Sequence, residues 1–402
     1  MHKTQPIDFD ITIVGCGLVG ATLACALQDQ NIKILLIDKL PLQTNLAKNL
    51  DARALCLTNP SVKCFKMLKI WPELVLDAAE IMEVQTTKQG YCGRSSIKAK
   101  DKGLSAMGYV VNADDLNMIL NQKVMRIKNI TIERPQQISH LEKKGLTWEI
   151  TFESQKKFTA SLLVAADGAD SLLRKHQGIG IKVVDHQQTA FVSNVECQQF
   201  HQYVAYERFT RNGSIAILPF GQKMHQVKCV WVVPNTEVER INALSETDYL
   251  NHIQECFGHR LGRFRQSSKR VIFPLRTIAA ETLYGDRLVL IGNAANTLHP
   301  IAAQGFNLGL RDAALLAEML VSARHNNQDL GAYDLLRGYA DKRKEDHQSI
   351  RQLSMRLAEP SIWQWFGITA TEWLPPFKHF ITQWGLGNLY GLPKLCRGVA
   401  LG

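Results

Sequence analysis

The stretch Ile11-Thr12-Ile13-Val14-Gly15-Cys16-Gly17-Leu18-Val19-Gly20-Ala21-Thr22-Leu23-Ala24 decides how the rest of the chain is read. A short apolar run ends in three glycines spaced G-x-G-x-x-G, and small apolar residues follow as far as Leu27. The first part predicts a buried strand and the last a helix packed closely upon it. In such a turn Gly15 permits the tight reversal, Gly17 lets a pyrophosphate reach the backbone, and Gly20 lets helix and strand approach. A second apolar run, Ile34 to Ile37, ends at Asp38, 18 residues past Gly20, where a carboxylate can accept a ribose hydroxyl. This β-α-β spacing predicts a parallel strand pair covered on both faces and a bound dinucleotide.

Working outward, Asn112 to Lys128 has helical periodicity, and Ser161 to Ala166 reads as another buried strand. Thr147 to Glu153 alternates like a strand, with Ile130 to Glu133 as its expected partner. From about Thr189 to Pro274 the texture changes to short alternating runs: Ser214 to Leu218, Gln226 to Val233 and Val271 to Phe273. These predict an antiparallel sheet. Leu288 to Ile291 returns to the buried-strand style. A long helix is expected from about Gln304 to Arg324, with Phe306, Leu310, Ala313, Ala317 and Leu320 on one face, and a second from about Tyr333 into the 350s. Parallel-sheet elements thus stand at both ends, with an antiparallel insertion between them.

Composition narrows the class. With 402 residues, 46% hydrophobic and 21% charged, the chain is an ordinary globular protein of two or three units, and disorder or a collagen-like fold is excluded. The apolar run near the start is too short for a signal peptide, and no stretch of about 18 apolar residues occurs, so a cytoplasmic protein is expected. The nine cysteines are scattered and contain no C-x-x-C pair, which suggests neither a disulfide framework nor a metal site. A net charge of +10 suits an anionic partner, but no run of five basic residues appears, so nucleic acid is not expected.

Two further segments say which dinucleotide. Asp167-Gly168-Ala169-Asp170-Ser171 follows the Leu162 to Ala166 run, with Arg174 close behind. Gly292-Asn293-Ala294-Ala295-Asn296-Thr297-Leu298-His299-Pro300 leads into Ala303-Gln304-Gly305-Phe306-Asn307-Leu308-Gly309, where a strand ends and a helix opens. Helix-start amides there can face an anion or a polarised carbonyl. A nicotinamide dehydrogenase has no use for both segments, whereas a larger cofactor lying across the sheet does.

The three segments resemble the fingerprints of the aromatic-hydroxylating flavoprotein monooxygenases. The resemblance implies a p-hydroxybenzoate-hydroxylase-like α/β fold: an FAD-binding Rossmann-type parallel sheet, an inserted antiparallel substrate sheet and C-terminal helices. Gly108-Tyr109-Val110-Val111, Ala205-Tyr206-Glu207-Arg208-Phe209 and Leu218-Pro219 are similar to strings of the ubiquinone-biosynthesis branch, over essentially the full chain. Gly292-Asn293-Ala294-Ala295-Asn296 departs from the common Gly-Asp-Ala-Ala-His. With the following Thr-Leu-His-Pro it is similar to the 2-polyprenyl-6-methoxyphenol hydroxylases.

This resemblance implies FAD as cofactor, NAD(P)H as reductant and O2 as co-substrate. The implied reaction hydroxylates a polyprenyl phenol, at ring C4 of 2-polyprenyl-6-methoxyphenol, through a flavin C4a-hydroperoxide. Other ring positions, another aromatic, a prenyl-chain flavin reductase and a non-catalytic subunit of a biosynthetic complex stay open. The FAD contacts carried over are Gly15, Gly17, Leu18, Val19, Gly20, Asp38, Lys39, Arg53, Asn112, Asp167, Gly168, Gly292, Asn293, Gly305, Phe306 and Asn307. His299, Pro300, Gln304 and Gly305 would face the flavin's reactive side, with His299 as the candidate proton acceptor. The implied units are 1–75, 103–187 and 277–346 for FAD, 76–102 and 188–276 for substrate, and 347–402 as a helical end. Aromatic residues of the insertion, Phe191, Tyr203, Tyr206, Phe209, Phe220, Trp231 and Phe273, with Leu218, are candidates for an apolar channel. Trp363, Trp365, Trp373 and Trp384 stand among Lys378, Lys394 and Arg397. They make residues 361–402 a candidate contact with the inner face of a membrane or with a biosynthetic complex.

Overall fold

In the computed structural model, which describes residues 7–41, 54–91, 93–358 and 391–401, the strand Phe9–Val14 is paired in parallel on both sides. Ile34–Ile37 runs along one side, with Ile11 opposite Ile34, and Lys157–Ala165 along the other, with Ile11 opposite Leu162. Ile130–Glu133 and Leu288–Leu290 extend the sheet in parallel at either end. Every residue of Ile34–Ile37 and of Leu288–Leu290 is buried, as strands covered on both faces require. The helices Leu18–Ala26 and Gly305–His325 pack against each other over this sheet.

The expected pairing of Ile130–Glu133 with Thr147–Glu153 does not occur. Ile130 stands opposite Ile34 instead, and Asn129 anchors that edge by donating its amide to the carbonyls of Leu27 and Ile32. Thr147–Phe152 finds a nearer partner. It forms a hairpin with Ile138–Lys144 around Gly145, whose φ of +60° suits the turn, and runs antiparallel to Lys157–Ala165.

The inserted sheet has nine strands among the described residues and is organised by the 17-residue strand Ile181–Cys197. Gln226–Pro234 and Val271–Ala280 flank it antiparallel. One junction departs from the expected antiparallel pattern: Val204–Phe209 lies parallel to Glu83–Lys88. A hairpin would force antiparallel pairing, but more than a hundred residues separate these two strands, so their direction is free.

The period-two register sorts the side chains of this sheet onto two faces. Phe191, Trp231, Ile217 and Tyr206 point to the outer face, beneath the helices Val238–Asn242 and Glu246–Phe257. On the inner face Phe209 packs on Ile301 and Leu357, and Ala205 and Leu218 pack on a small sheet formed by Ala54–Thr58, Gly108–Asn112 and Ala79–Ile81. Of the aromatics read as channel candidates, Phe191, Tyr206 and Trp231 are therefore ordinary core. Phe209, Phe220 and Phe273 belong to the inner-face clusters.

The described end of the chain docks on the main core. Leu395 and Cys396 are buried there, and the Lys394 amide donates to Glu318 at 2.8 Å. The tryptophans of the candidate membrane contact, with Lys378, lie outside the described residues.

The helices Gly305–His325 and Tyr333–Ala358 are joined by buried charge. Arg343 donates to Asp312 at 2.7 Å and to Asp346 at 2.7 Å, and Arg311 donates to Asp346 at 2.7 Å. His347 Nε2 sits 2.7 Å from Asp312, whose second oxygen accepts the Gly292 amide at 3.1 Å. Burial opposes the charge, but His347 and then the Arg343 guanidinium hold the Asp312 carboxyl well below the usual carboxylate range. Because that carboxyl is depressed, its contribution to stability is present above about pH 4 and is lost only as pH falls below that. Asp312→Asn leaves Arg343 buried and short of a counter-charge. It should destabilise the FAD-free protein by about 3–5 kcal/mol in denaturant unfolding at neutral pH, and by only about 1 kcal/mol less at pH 3, where the native carboxyl is still ionised.

Candidate active site

The glycine turn is built as its sequence requires. Gly15 has a φ of +101°, and a Cβ there would lie 2.3 Å from the Ala166 carbonyl oxygen. A Cβ on Gly20 would lie 2.0 Å from the oxygen of Gly15. Both positions are closed to any side chain. Gly17 is the opposite case: it is exposed, and a Cβ there would meet nothing within 4 Å. The open space in front of Gly17 is where a ligand can approach the backbone. The helix that follows carries no acidic residue in its first turn and no side-chain cap, so its leading amides are left for an anion. A dinucleotide's pyrophosphate fits this cradle.

Asp38 stands beside the turn. One carboxylate oxygen accepts the Cys16 amide at 2.7 Å and the other the Leu40 amide at 2.8 Å. The residue thus braces the glycine turn, with lone pairs to spare for a hydroxyl. Lys39 is exposed next to it, and Leu18 and Val19 pack half-buried on the core. Sequence reasoning missed Arg134, whose guanidinium donates to the carbonyls of Leu40 and Pro41 and to Asn121. Nothing in its local sequence signals that role, because the contact spans more than ninety residues. Arg53 lies outside the described residues. Asn112 is the N-cap of the helix Ala113–Val124, accepting the Asp114 amide at 2.9 Å.

The second and third segments meet the first. Asp167 adjoins the Ala166 carbonyl that crowds Gly15, and one of its oxygens accepts the Leu172 amide at 2.7 Å. Its other oxygen is buried with no hydrogen-bond partner among the described residues, and burial raises this carboxyl. Gly168 adopts a φ of +89° beside open space. Arg174 ties the two segments, donating to Ala294 O at 2.9 Å and Ala169 O at 2.7 Å. Gly292 lies against Val19 of the glycine turn, while Asn293 is exposed. The helix at Gly305 again begins without an acidic residue or a side-chain cap, and a Cβ on Gly305 would meet nothing within 4 Å.

Phe306 stacks on Phe65 at 6.3 Å. Asn307, fully buried, spends its side chain inside the protein. It accepts from Thr58 N at 3.0 Å and Ser61 Oγ at 2.6 Å, and donates to Cys56 O at 2.8 Å and Ala303 O at 3.0 Å. That amide pins the helix start to the strand Ala54–Thr58.

Of the residues read as facing the reaction, Pro300 is exposed and Gln304 buried at the helix start. His299 is buried and stands 4.9 Å ring to ring from His186. Its Nδ1 accepts the Ile301 amide at 3.2 Å, so the proton of the neutral ring sits on Nε2, which has no partner among the described residues. Burial, helped by His186, pushes its pKa down to about 3. The ring stays neutral at physiological pH and holds a proton too weakly to draw one from a phenol. His299 and Ile301 form one wall of a narrow cleft of about 10 Å³, room for a single water, whose other wall is the inner sheet face at Gln188, Phe209, Ser214 and Val232.

Comparison with known proteins agrees with this arrangement. A family model described as an FAD binding domain matches residues 8–354. The ubiquinone hydroxylase UbiL of Rhodospirillum rubrum is 31% identical, over 98% of this chain and 93% of its own length. The 3-demethoxyubiquinol 3-hydroxylase of Escherichia coli is 27% identical, over 84% of this chain and 86% of its own. The crystal structure of p-nitrophenol 4-monooxygenase PnpA from Pseudomonas putida matches with a TM-score of 0.75 over 96% of this chain and 99% of that one. At 14% identity that last likeness is one of fold.

The glycine geometry separates folding from cofactor binding. Gly17→Ala should leave the thermal stability of the FAD-free protein unchanged while weakening FAD uptake at least tenfold, because its methyl group enters only the pyrophosphate space. Gly20→Ala should lower both, because its methyl group has no room in the fold itself. Calorimetry of the apoproteins and FAD titration by flavin fluorescence read the two effects apart.

Proposed function

The chain belongs to the FAD binding domain family, among the FAD-dependent hydroxylases of ubiquinone biosynthesis, and from that premise we propose that it hydroxylates the ring of a polyprenyl phenol. The observation that carries the reading is the match to a ubiquinone hydroxylase along nearly the whole of both chains. Phe209 and Val232 line the inner sheet face of the narrow cleft beside His299 and Ile301.

Bound FAD, reduced by NADH or NADPH, supplies the activation of O2 and its transfer to carbon. The protein binds, orients and excludes water. The glycine turn and Asp38 would hold the adenosine half of FAD. The segments at Asp167 and Gly292–Gly305 would hold the rest, with the ring of the substrate against the inner sheet face. Ring C4 of 2-polyprenyl-6-methoxyphenol is the proposed position, supported by the Gly292-Asn293-Ala294-Ala295-Asn296 departure. Here Asn296 is buried with its amide 3.3 Å from His347, so the departure is built into the packing of the helix Tyr333–Ala358.

A polyprenyl chain partitions into a bilayer, since each buried methylene is worth about 0.8 kcal/mol. The enzyme would therefore collect its substrate at a membrane surface or from a partner of a biosynthetic complex, and residues 361–402 are the proposed contact. No helix among the described residues is long and apolar enough to cross a membrane.

Purified protein given FAD, NADPH or NADH, and 18O2 should add one labelled oxygen to 2-polyprenyl-6-methoxyphenol. A strain lacking the protein should accumulate the unhydroxylated ring. Label at another carbon would move the assignment to that position. Nicotinamide oxidation with saturation of the prenyl chain and no labelled ring would replace hydroxylation by reduction, and absence of any turnover would reject an enzyme.

A further inference from the structure

The inner face of the nine-stranded sheet carries a carboxylate that the catalytic reading above did not use. Glu207 lies two residues before Phe209 on the same strand and on the same face, so it points where Phe209 points, toward the side of the sheet that meets His299 and Ile301. It stands opposite Ala216, with Val230 beyond, on one side and opposite Thr86 on the other, so its row is small and apolar on one flank and carries a hydroxyl on the other. Ser214, itself buried and lining the cleft, hydrogen-bonds its carboxyl. Glu207 is half-buried on that face.

The groups facing it are few. Cys56 approaches from the strand Ala54–Thr58, its thiol pushed up by burial and then by the charge of Glu207. Lys228, on the same face, sits with its ammonium over the Phe220 ring at 4.3 Å. Lys88, opposite Phe209, sits over Tyr91 at 4.9 Å. Arg208 and Glu83 belong to the other face, where Arg208 meets Thr87 and Glu83 meets Ser96. No guanidinium or ammonium is among the causes that set the state of Glu207. Burial dominates, eased by Ser214, and pushes its carboxyl up to about 7.

We infer that Glu207 is the proton acceptor for the phenol hydroxyl of the substrate, an assignment that rests on the phenol-hydroxylase reading above. The phenol O–H bond breaks, an O–H bond forms on the Glu207 carboxylate, and the electron pair left on the phenol oxygen raises electron density at the ring carbons ortho and para to it. Oxygen transfer to one of those carbons is the step that FAD supplies. The hydroxylated carbon then sheds its own proton, the phenol is restored, and Glu207 returns its proton to solvent. His299, held neutral and weakly basic across the cleft, shapes the pocket without competing for that proton. Because the acceptor is the ionised form of a raised carboxyl, the reaction gains as pH rises through about 7.

The test uses the FAD-loaded full chain, a prenylated 2-methoxyphenol and its O-methyl ether. Glu207→Gln should keep FAD binding and nicotinamide-driven flavin reduction, lower product formation by about 10²–10⁴-fold, and lose the acid limb that wild type shows near pH 7. Equilibrium binding gives a readout without turnover. Wild type should prefer the phenol over the ether by about tenfold or more above pH 7, in line with a hydrogen bond to a charged acceptor, and Glu207→Gln should show no such pH-dependent preference. Wild-type rates of hydroxylation in Glu207→Gln would overturn the assignment. So would a wild-type profile flat between pH 5 and 9, which decides the matter even where the variant fails to take up FAD. If wild type hydroxylates no phenol at all, the functional reading falls first and this assignment with it.

Discussion

The helix Leu18–Ala26 can lie where it does because the backbones around it touch without side chains between them. Gly20 rests on the oxygen of Gly15, and Gly15 rests on Ala166. Val19 occupies the room left at Gly292 and Gly309, where a Cβ would come within 3.1 and 2.9 Å of its methyl groups. Four missing side chains thus draw together the starts of two helices and the ends of three strands. The rest of the site follows from that contact. The anion cradle at Gly17, the brace of Asp38 and the entry of the long helix at Gly305 are all set by how closely these backbones approach.

Polar groups inside the molecule divide into two kinds. Asp312, Arg343, Asp346 and Arg311 bind one another, Gly292 and the long helices, and their charges balance. Asn307 likewise uses its whole amide on neighbouring backbone and hydroxyls. Such groups position the glycine-rich segments. Asp167 Oδ1 and His299 Nε2 are buried with no hydrogen-bond partner among the described residues, and Glu207 keeps part of its surface open. A buried polar atom left bare costs free energy unless a ligand satisfies it. Asp167 Oδ1 and His299 Nε2 are therefore candidates for the lining of a site, whereas the ion-paired network, in which Arg311 Nη1 also lacks a partner among the described residues, belongs to its frame.

Much of this was legible in the linear chain because the decisive signals are local. Strand, turn and helix from Ile11 to Leu27 occupy one short segment, and the period of apolar residues distinguishes them. The three glycine-rich segments stand out by composition, and the structure brings all three into contact through Val19, Ala166 and Arg174. The hairpin at Gly145 and the parallel pairing at Glu83–Lys88 were not legible. Pairing choice depends on which partner is nearer in space, and alternation alone names no partner.

By itself, then, the amino-acid sequence determined the fold class and the glycine turn, because glycine spacing and apolar period act through nearest-neighbour geometry that a few residues carry in full, while the family entered through a resemblance to known fingerprints. The tertiary structure alone decided which side chains share a face. It put Phe191 and Trp231 under the outer helices, committed Asn307 to the fold, left His299 weakly basic, and set Glu207 on the surface that meets the cleft. The reason is that burial and register are properties of the assembled sheet. A one-residue shift in pairing would exchange the two faces, and no local pattern in Ala205-Tyr206-Glu207-Arg208-Phe209 says which of its polar residues looks inward.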